Sequence, residues 1–165
     1  MRNIIKILSI FPLCFYLIAC SGDISKEDQV RQFIDAAKTA AENRSYVDLA
    51  QLIHEDYADH KTMNKSQLVS FTGRYFLTHK NIHLFTKIDE MVFYSENKVK
   101  VTLYVAMAGN VISDASLLLS LRAKVYKFEL QLVKDDEWLL QLAHWQRSSV
   151  KEMMQSINTS VETIQ

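Results

Sequence analysis

The stretch "KVKVTLYVAM", residues 98–107, decides the fold class because apolar and polar side chains alternate along it. The two sets are Val99, Val101, Leu103, Val105 and Met107 on one face, and Lys98, Lys100, Thr102 and Tyr104 on the other. A period of two is that of a β-strand with one buried face. Residues 82–94 predict a preceding strand, joined through the turn "SENK" at 95–98. This part of the chain therefore predicts an antiparallel hairpin.

Two further strands are expected towards the C-terminus. In the segment 117–133, the apolar residues occupy one face as far as Val125 and the opposite face from Tyr126 onward. A strand does this only with a bulge, a bend, or burial on its two faces in turn. After a turn at 134–137, a last strand places His144 on the face of Trp138 and Leu140. Together these segments predict a strongly curved, four-stranded antiparallel sheet.

Helices are predicted before the sheet and after it. Each predicted helix opens on a polar residue followed three positions later by a residue suited to a capping box. The pairs are Ser25 with Asp28, Ser45 with Asp48, Asn64 with Gln67, and Ser149 with Glu152. Gly73 inside the third helix predicts a close packing contact, since glycine weakens a helix. Helices packed on an antiparallel sheet make the predicted fold class α+β.

Residues 1–19 have the features of a bacterial export signal. Arg2 and Lys6 form a basic start, and only about a dozen apolar residues follow, against the ~20 that a spanning helix needs. The ending Leu17-Ile18-Ala19-Cys20 resembles the lipobox of bacterial lipoproteins. The resemblance implies cleavage before Cys20, diacylglycerol on its thiol and acylation of the new amino terminus. The alternative is an ordinary signal whose apolar core happens to contain cysteines.

The expected address follows from this resemblance. Residues 20–25 would tether the domain to the lipid, and Ser21 after the cysteine resembles the pattern sorted to the outer membrane of two-membrane cells. The protein is therefore expected to be exported and anchored in the cell envelope, at the periplasmic face of the outer membrane in such a host.

Charge and cysteine content narrow the possible partners of the mature domain. Losing residues 1–19 removes Arg2 and Lys6, so the formal net charge of zero becomes −2. Without a basic surplus to displace counterions from phosphates, nucleic acid is not expected as a partner. Once Cys20 is lipidated, no thiol remains, so the domain folds without disulfides.

Residues 26–147 resemble the nuclear transport factor 2-like superfamily, which includes SnoaL-like domains and ketosteroid isomerases. The resemblance rests on the opening helix pair, the segment "LIHEDYADH" at 52–60 and the ending "KDDEWLLQLAHWQR" at 134–147. It implies a cone in which helices pack into a curved sheet, with a pocket at the wide end. Residues 148–165 would add a C-terminal amphipathic helix and tail.

The polar cluster at 54–60 contains the candidate chemistry. Asp59 beside His60 would form an acid–base pair if both were buried in a pocket, where desolvation shifts pKa values. The alternative is an exposed linker between helices. Tyr57 and His144 are candidate ligand-binding residues, although a hydrogen-bonded core histidine is the alternative for His144. No metal site is predicted, because His54 and His60 are six residues apart and share no face, and no cofactor is predicted.

Three functions are compatible with these observations. The first is a lipid-anchored envelope protein whose cone binds a small apolar molecule or a partner without catalysis. The second is a SnoaL-like isomerase or hydrolase that uses Asp59 and His60. The third is an envelope assembly module that docks another protein through the sheet or the terminal helix. A homodimer is compatible with all three, and the oligomeric state is left open.

Overall fold

The computed structural model describes residues 24–59 and 63–162. The predicted export signal and Cys20 lie outside the described residues, and so does His60. Among the residues that are described, no helix combines the length and apolarity needed to cross a membrane.

Five helices and five strands alternate irregularly along the described chain. In order they are α1 Lys26–Glu42, α2 Tyr46–Gln51, β1 Ile53–Asp59, α3 Lys65–Thr78, β2 His83–Ser95, β3 Lys98–Ala108, α4 Leu117–Ser120, β4 Lys124–Lys134, β5 Trp138–Ser148 and α5 Val150–Glu162. The strands form one sheet in the order β1-β5-β4-β3-β2. All neighbours are antiparallel except β1 and β5, which are parallel. The α+β class is confirmed, whereas four antiparallel strands were predicted and the sheet has five and is mixed.

The predicted caps form at the helix starts. The Asp28 and Asp48 N–H groups donate to the Ser25 and Ser45 hydroxyls. Asn64 and Gln67 form a reciprocal capping box, and Ser149 and Glu152 do the same ahead of α5. These bonds satisfy N–H groups that lack a partner within the helix.

Gly73 makes no close contact in α3. A Cβ atom at this position would meet only Tyr46 Cγ, at 4.0 Å, which is an ordinary van der Waals distance. The predicted close approach is therefore wrong, and alanine would fit there.

Strand β1 corrects the prediction of an exposed linker between helices. Ile53 lies opposite Leu140 of β5 and Asp59 opposite Ala143, with an irregularity between them. Ile53 and Tyr57 are buried, whereas Glu55 and Asp56 are exposed. The irregularity interrupts the alternation expected of a half-buried strand. The first two carboxylates of β1 face solvent, whereas that of Asp59 is buried.

The change of apolar face in 117–133 arises from two elements rather than one bent strand. Residues Leu117–Ser120 form the short helix α4, and β4 begins only at Lys124. Between them Arg122 has a φ of 50°, a left-handed conformation that turns the chain from helix to strand. Because the helix and the strand orient their apolar side chains independently, no single strand periodicity extends through the segment.

One face of the sheet, called here the inner face, packs against α1 and α2 and forms the main core. Its fully buried residues include Val99 and Val101 of β3, Leu132 of β4 and Val30 of α1. The cone is filled by these side chains at the end where α1 begins, because aliphatic groups from both layers meet there.

A second core lies on the outer face of the sheet. Met153 of α5 is 0 % exposed and packs with Tyr104, Ala106, Leu118 and Val125. The C-terminal helix therefore covers part of the domain's own sheet.

Candidate functional site

Tyr57 lies at the inner side of β1 and is 3 % exposed. Its hydroxyl has no hydrogen-bond partner among the residues that the structure describes. Burial, and secondarily the charge of Asp59, raises the pKa of Tyr57 well above its usual value of 10. The phenol is therefore neutral at any physiological pH and keeps a proton that it can donate to an acceptor.

Asp59 ends β1 two residues later, so the two side chains point to the same side of the strand. It is 8 % exposed, and its Oδ1 accepts a hydrogen bond of 2.8 Å from the Met63 N–H. This bond ties the end of β1 to the residues just before α3. Because His60 is outside the described residues, the proposed Asp59–His60 pair stays a prediction.

Three half-buried rings lie in a row along the inner face, and this set is called here the aromatic row: Tyr126, Phe128 and Trp145. Phe128 lies opposite Trp145 across β4 and β5, with stacked rings whose centroids are 6.2 Å apart. Tyr126 and Phe128 have centroids 6.5 Å apart. Phe128 and Trp145 also pack against the buried cluster that contains Tyr57.

Helix α3 contributes the wall opposite Tyr126. The Tyr75 hydroxyl donates a hydrogen bond of 2.9 Å to Met107 Sδ of β3, and the Tyr75 ring stacks on His79 at 3.8 Å. Burial, with a smaller effect of Tyr126, raises the pKa of Tyr75. Together with the buried apolar cluster of Phe76, Ile82 and Leu84, these contacts hold α3 over this end of the inner face.

His144 lies on the outer face, opposite Glu129 of β4, and is exposed. The prediction that it shares the face of Trp138 and Leu140 is wrong. The pairing of Leu132 with Leu140 and of Gln131 with Leu142 leaves Gln141 as an extra residue in β5. Such a bulge reverses the alternation beyond it, so Ala143 and Trp145 face inward instead.

Two clefts in the described surface lie away from the candidate residues, and neither is lined by Tyr57, Asp59, His144 or the aromatic row. The first, of about 310 Å³, runs along α3 beside Phe71 and Arg74. The second, of about 270 Å³, lies between α1 and the β4–β5 turn, beside Gln29, Lys134 and Trp138. Sequence reasoning missed the second cleft, because the approach of α1 to this turn leaves no local signal. Within the described ranges, no group of three or more His, Cys, Asp or Glu side chains is placed to hold a metal ion.

No protein-family model and no curated protein matches this sequence. Solved structures do resemble it. A Caulobacter vibrioides protein with a cystatin-like fold has a TM-score of 0.60 at 14% identity, over 78% of this chain and 94% of that one. A candidate scytalone dehydratase from Novosphingobium aromaticivorans has a TM-score of 0.62 at 11% identity, over 74% and 84%.

A third similar structure is longer than this chain. Bd1075 of Bdellovibrio bacteriovorus has a TM-score of 0.60 at 12% identity over 76% of this chain, which spans only 44% of that protein. A nuclear transport factor 2-like protein of unknown function from Shewanella oneidensis has a TM-score of 0.56 at 15% identity, over 73% and 98%. At such identities the similarity concerns the fold alone. The chain shares with these proteins a cone in which helices pack into a curved sheet.

Proposed function

We propose that this protein is a lipid-anchored envelope protein whose cone binds a small apolar molecule at the aromatic row, without catalysis. The aromatic row is the observation that carries the proposal. Rings that are half-buried and already stacked offer flat apolar surface at little cost in conformational entropy, as is typical of ligand pockets lined by aromatic side chains.

Tyr57 would add a polar contact to this apolar surface. A buried hydroxyl normally has a hydrogen-bond partner, and that of Tyr57 has none among the described residues. A carbonyl or hydroxyl oxygen on the ligand would accept its proton. The proposed ligand is therefore largely apolar, with a hydrogen-bond acceptor.

The anchor is proposed from the lipobox resemblance at Leu17–Cys20. Several acyl chains, at ~0.8 kcal/mol per buried methylene, hold a protein on a membrane where one chain is marginal. The protein would then act at the envelope, at the periplasmic face of the outer membrane in a two-membrane host. Cys20→Ala should release it from the membrane fraction, and a variant still found with membranes would contradict the anchor.

Native mass spectrometry of the intact lipoprotein, purified from its own host, tests the binding site. We expect a bound small molecule on the wild type and its loss in Phe128→Leu. Phe93→Leu is the matched control, because Phe93 is also half-buried on the inner face but lies beside Trp138, away from the aromatic row. Equal retention in both variants, or no bound molecule on the wild type, would contradict the proposal.

An enzyme is the second candidate, favoured by the burial of Asp59 beside Tyr57. Two proteins with the same fold, from Novosphingobium aromaticivorans and Streptomyces avermitilis, are candidate dehydratases. Dehydration or isomerisation needs a base, and a buried carboxylate is suited to that role. Asp59→Asn should abolish such an activity, whereas Asp56→Asn, which changes an exposed carboxylate of the same strand, should not.

A further inference from the structure

The cleft between α1 and the β4–β5 turn, called here the α1 cleft, contains an ammonium group without a described counterion. Lys134 Nζ donates a hydrogen bond of 2.6 Å to Gln29 Oε1 and lies 6.0 Å from the centre of the Trp138 ring. Both partners are uncharged, and no carboxylate of the described residues forms an ion pair with Lys134. An ammonium group keeps donors to spare in this setting, so an anionic group is the ligand that it would favour.

Trp138 lines the α1 cleft with the ring over which the Lys134 ammonium group lies. The side chain is 4 % exposed, so only a small part of the ring borders the cleft. A charged group bound at Lys134 would lie close to this ring.

The rim of the α1 cleft has the opposite charge. Asp136 and Glu137 line it from the β4–β5 turn and are exposed, while Phe33 and Leu52 supply apolar surface between rim and base. A plain anion would be repelled by the two carboxylates. A zwitterion would satisfy both parts, with its anion at Lys134 and its cation at the rim.

The position of the α1 cleft places it next to the proposed anchor. Gln29 lies one turn into α1. Because α1 begins only six residues after Cys20, even a fully extended chain between them is only roughly 20 Å long. The Lys26 ammonium pairs with Glu96 in the β2–β3 turn, so both hairpin turns lie at the end of the domain where the chain enters. This end would lie close to the membrane surface.

We propose that the α1 cleft binds the zwitterionic headgroup of a phospholipid in the membrane that holds the anchor, with its phosphate at Lys134, beside the Trp138 ring, and its ammonium at Asp136 and Glu137. The proposal rests on the lipid anchor of the proposed function. It adds that the domain is held against the membrane in one orientation, with the aromatic row directed away from the lipid surface contacted by the cleft.

The NMR signal of the Trp138 indole N–H reports on this site. The chain has two tryptophans, and Trp138→Phe identifies the signal by its loss. The mature lipoprotein is placed in nanodiscs of phosphatidylglycerol alone or with phosphatidylethanolamine. We expect the Trp138 signal to shift only with phosphatidylethanolamine. Lys134→Met should remove the shift, and Lys151→Met, at an exposed position of α5, should keep it.

Soluble glycerophosphoethanolamine, titrated into the phosphatidylglycerol sample, separates the headgroup from the membrane. Saturable binding, weakened about tenfold by Lys134→Met, supports the zwitterion chemistry. The same shift with phosphatidylglycerol alone would overturn it, and so would the lack of any shift. A response to the soluble compound but not to phosphatidylethanolamine discs would overturn the membrane source.

A separate measurement distinguishes failure of the anchor from failure of the cleft. Mass spectrometry of the N-terminal peptide shows whether Cys20 is acylated. An unmodified Cys20 would refute the proposed anchor and, with it, the membrane orientation. The titration with glycerophosphoethanolamine would still decide whether Lys134 binds the headgroup.

Discussion

The two ends of the inner face differ although they lie on the same strands. At the closed end, around Val99, Val101 and Leu132, aliphatic side chains of the sheet meet Val30 of α1 and are completely buried. At the open end, Phe128 and Trp145 are only half-buried. The same alternating pattern thus produces a stabilising core where a helix covers it. At the end where Tyr75 of α3 meets Met107 of β3, the same pattern leaves aromatic rings half-buried, and this is the surface at which we propose that a ligand binds.

The largest expected effect is at the closed end. Leu132→Ala removes a completely buried side chain from the centre of the core, and such a change costs about 2–5 kcal/mol. Urea unfolding measures it. Leu119→Ala is the control, because Leu119 is 74 % exposed and should change stability by less than about 0.5 kcal/mol. Similar losses in the two variants would show that the closed end is not the stabilising core.

The burial of Tyr57 can be tested by measuring the stability of the protein at alkaline pH. The pKa of Tyr57 is higher in the folded state than the 10 of a free phenol, so the folded protein keeps a proton that the unfolded chain loses above pH 10. The stabilisation is complete below pH 10 and is lost above it, by up to about 1.4 kcal/mol per pH unit. Tyr57→Phe should lack this part of the decline in urea titrations between pH 9 and 11. Parallel curves for both proteins would contradict the burial of the phenol.

At the open end, a change should affect binding more than stability. Phe128→Leu replaces one apolar side chain by another at a half-buried position, where such swaps usually cost less than about 1.5 kcal/mol. The midpoint of urea unfolding should therefore move little, while the bound molecule is lost from the native mass spectrum. A large loss of stability instead would show that the aromatic row is part of the structural core.

The smallest effect is a gain of stability in α3, the helix over the open end. Gly73→Ala should stabilise the protein by up to about 1 kcal/mol, because alanine is the better helix former and its Cβ meets only Tyr46 Cγ, at 4.0 Å. Thermal unfolding measures it, and Ser70→Ala, on the exposed side of the same helix, serves as a comparison. A destabilised Gly73→Ala would reveal a close approach that the structure does not show.

Much of the fold could be predicted because its signals are local. Each cap depends on two residues three apart, such as Asn64 and Gln67, and the hairpin of β2 and β3 depends on alternation within one segment. The same dependence on local signals explains why the sequence places the leucines of 117–121 in the wrong element. A four-residue helix is too short to establish a period of its own, so its residues were added to the strand that follows.

The candidate site was harder to predict, because its geometry depends on distant pairings. Strand β1 is recognisable only through its pairing with the parallel strand β5. His144 lies on the face opposite to the predicted one because β5 contains one extra residue, Gln141. The aromatic row joins Phe128 and Trp145 across two strands, which no spacing in the sequence predicts. Asp59 and Tyr57 were found as residue types, but their inward direction required the strand.

The parallel pairing of β1 with β5 also has a consequence for the order of folding. Ile53 and Leu140 are separated by more than half of the chain, so this edge closes only after the antiparallel strands that precede β5 have been made. Contacts so distant along the chain slow folding. During synthesis β1 must wait for the last strand, and in the folded protein this edge is expected to open first. Amide hydrogen exchange should accordingly be faster in β1 than in β3. The segment with Tyr57 and Asp59 is therefore expected to be the last part of the cone to be assembled.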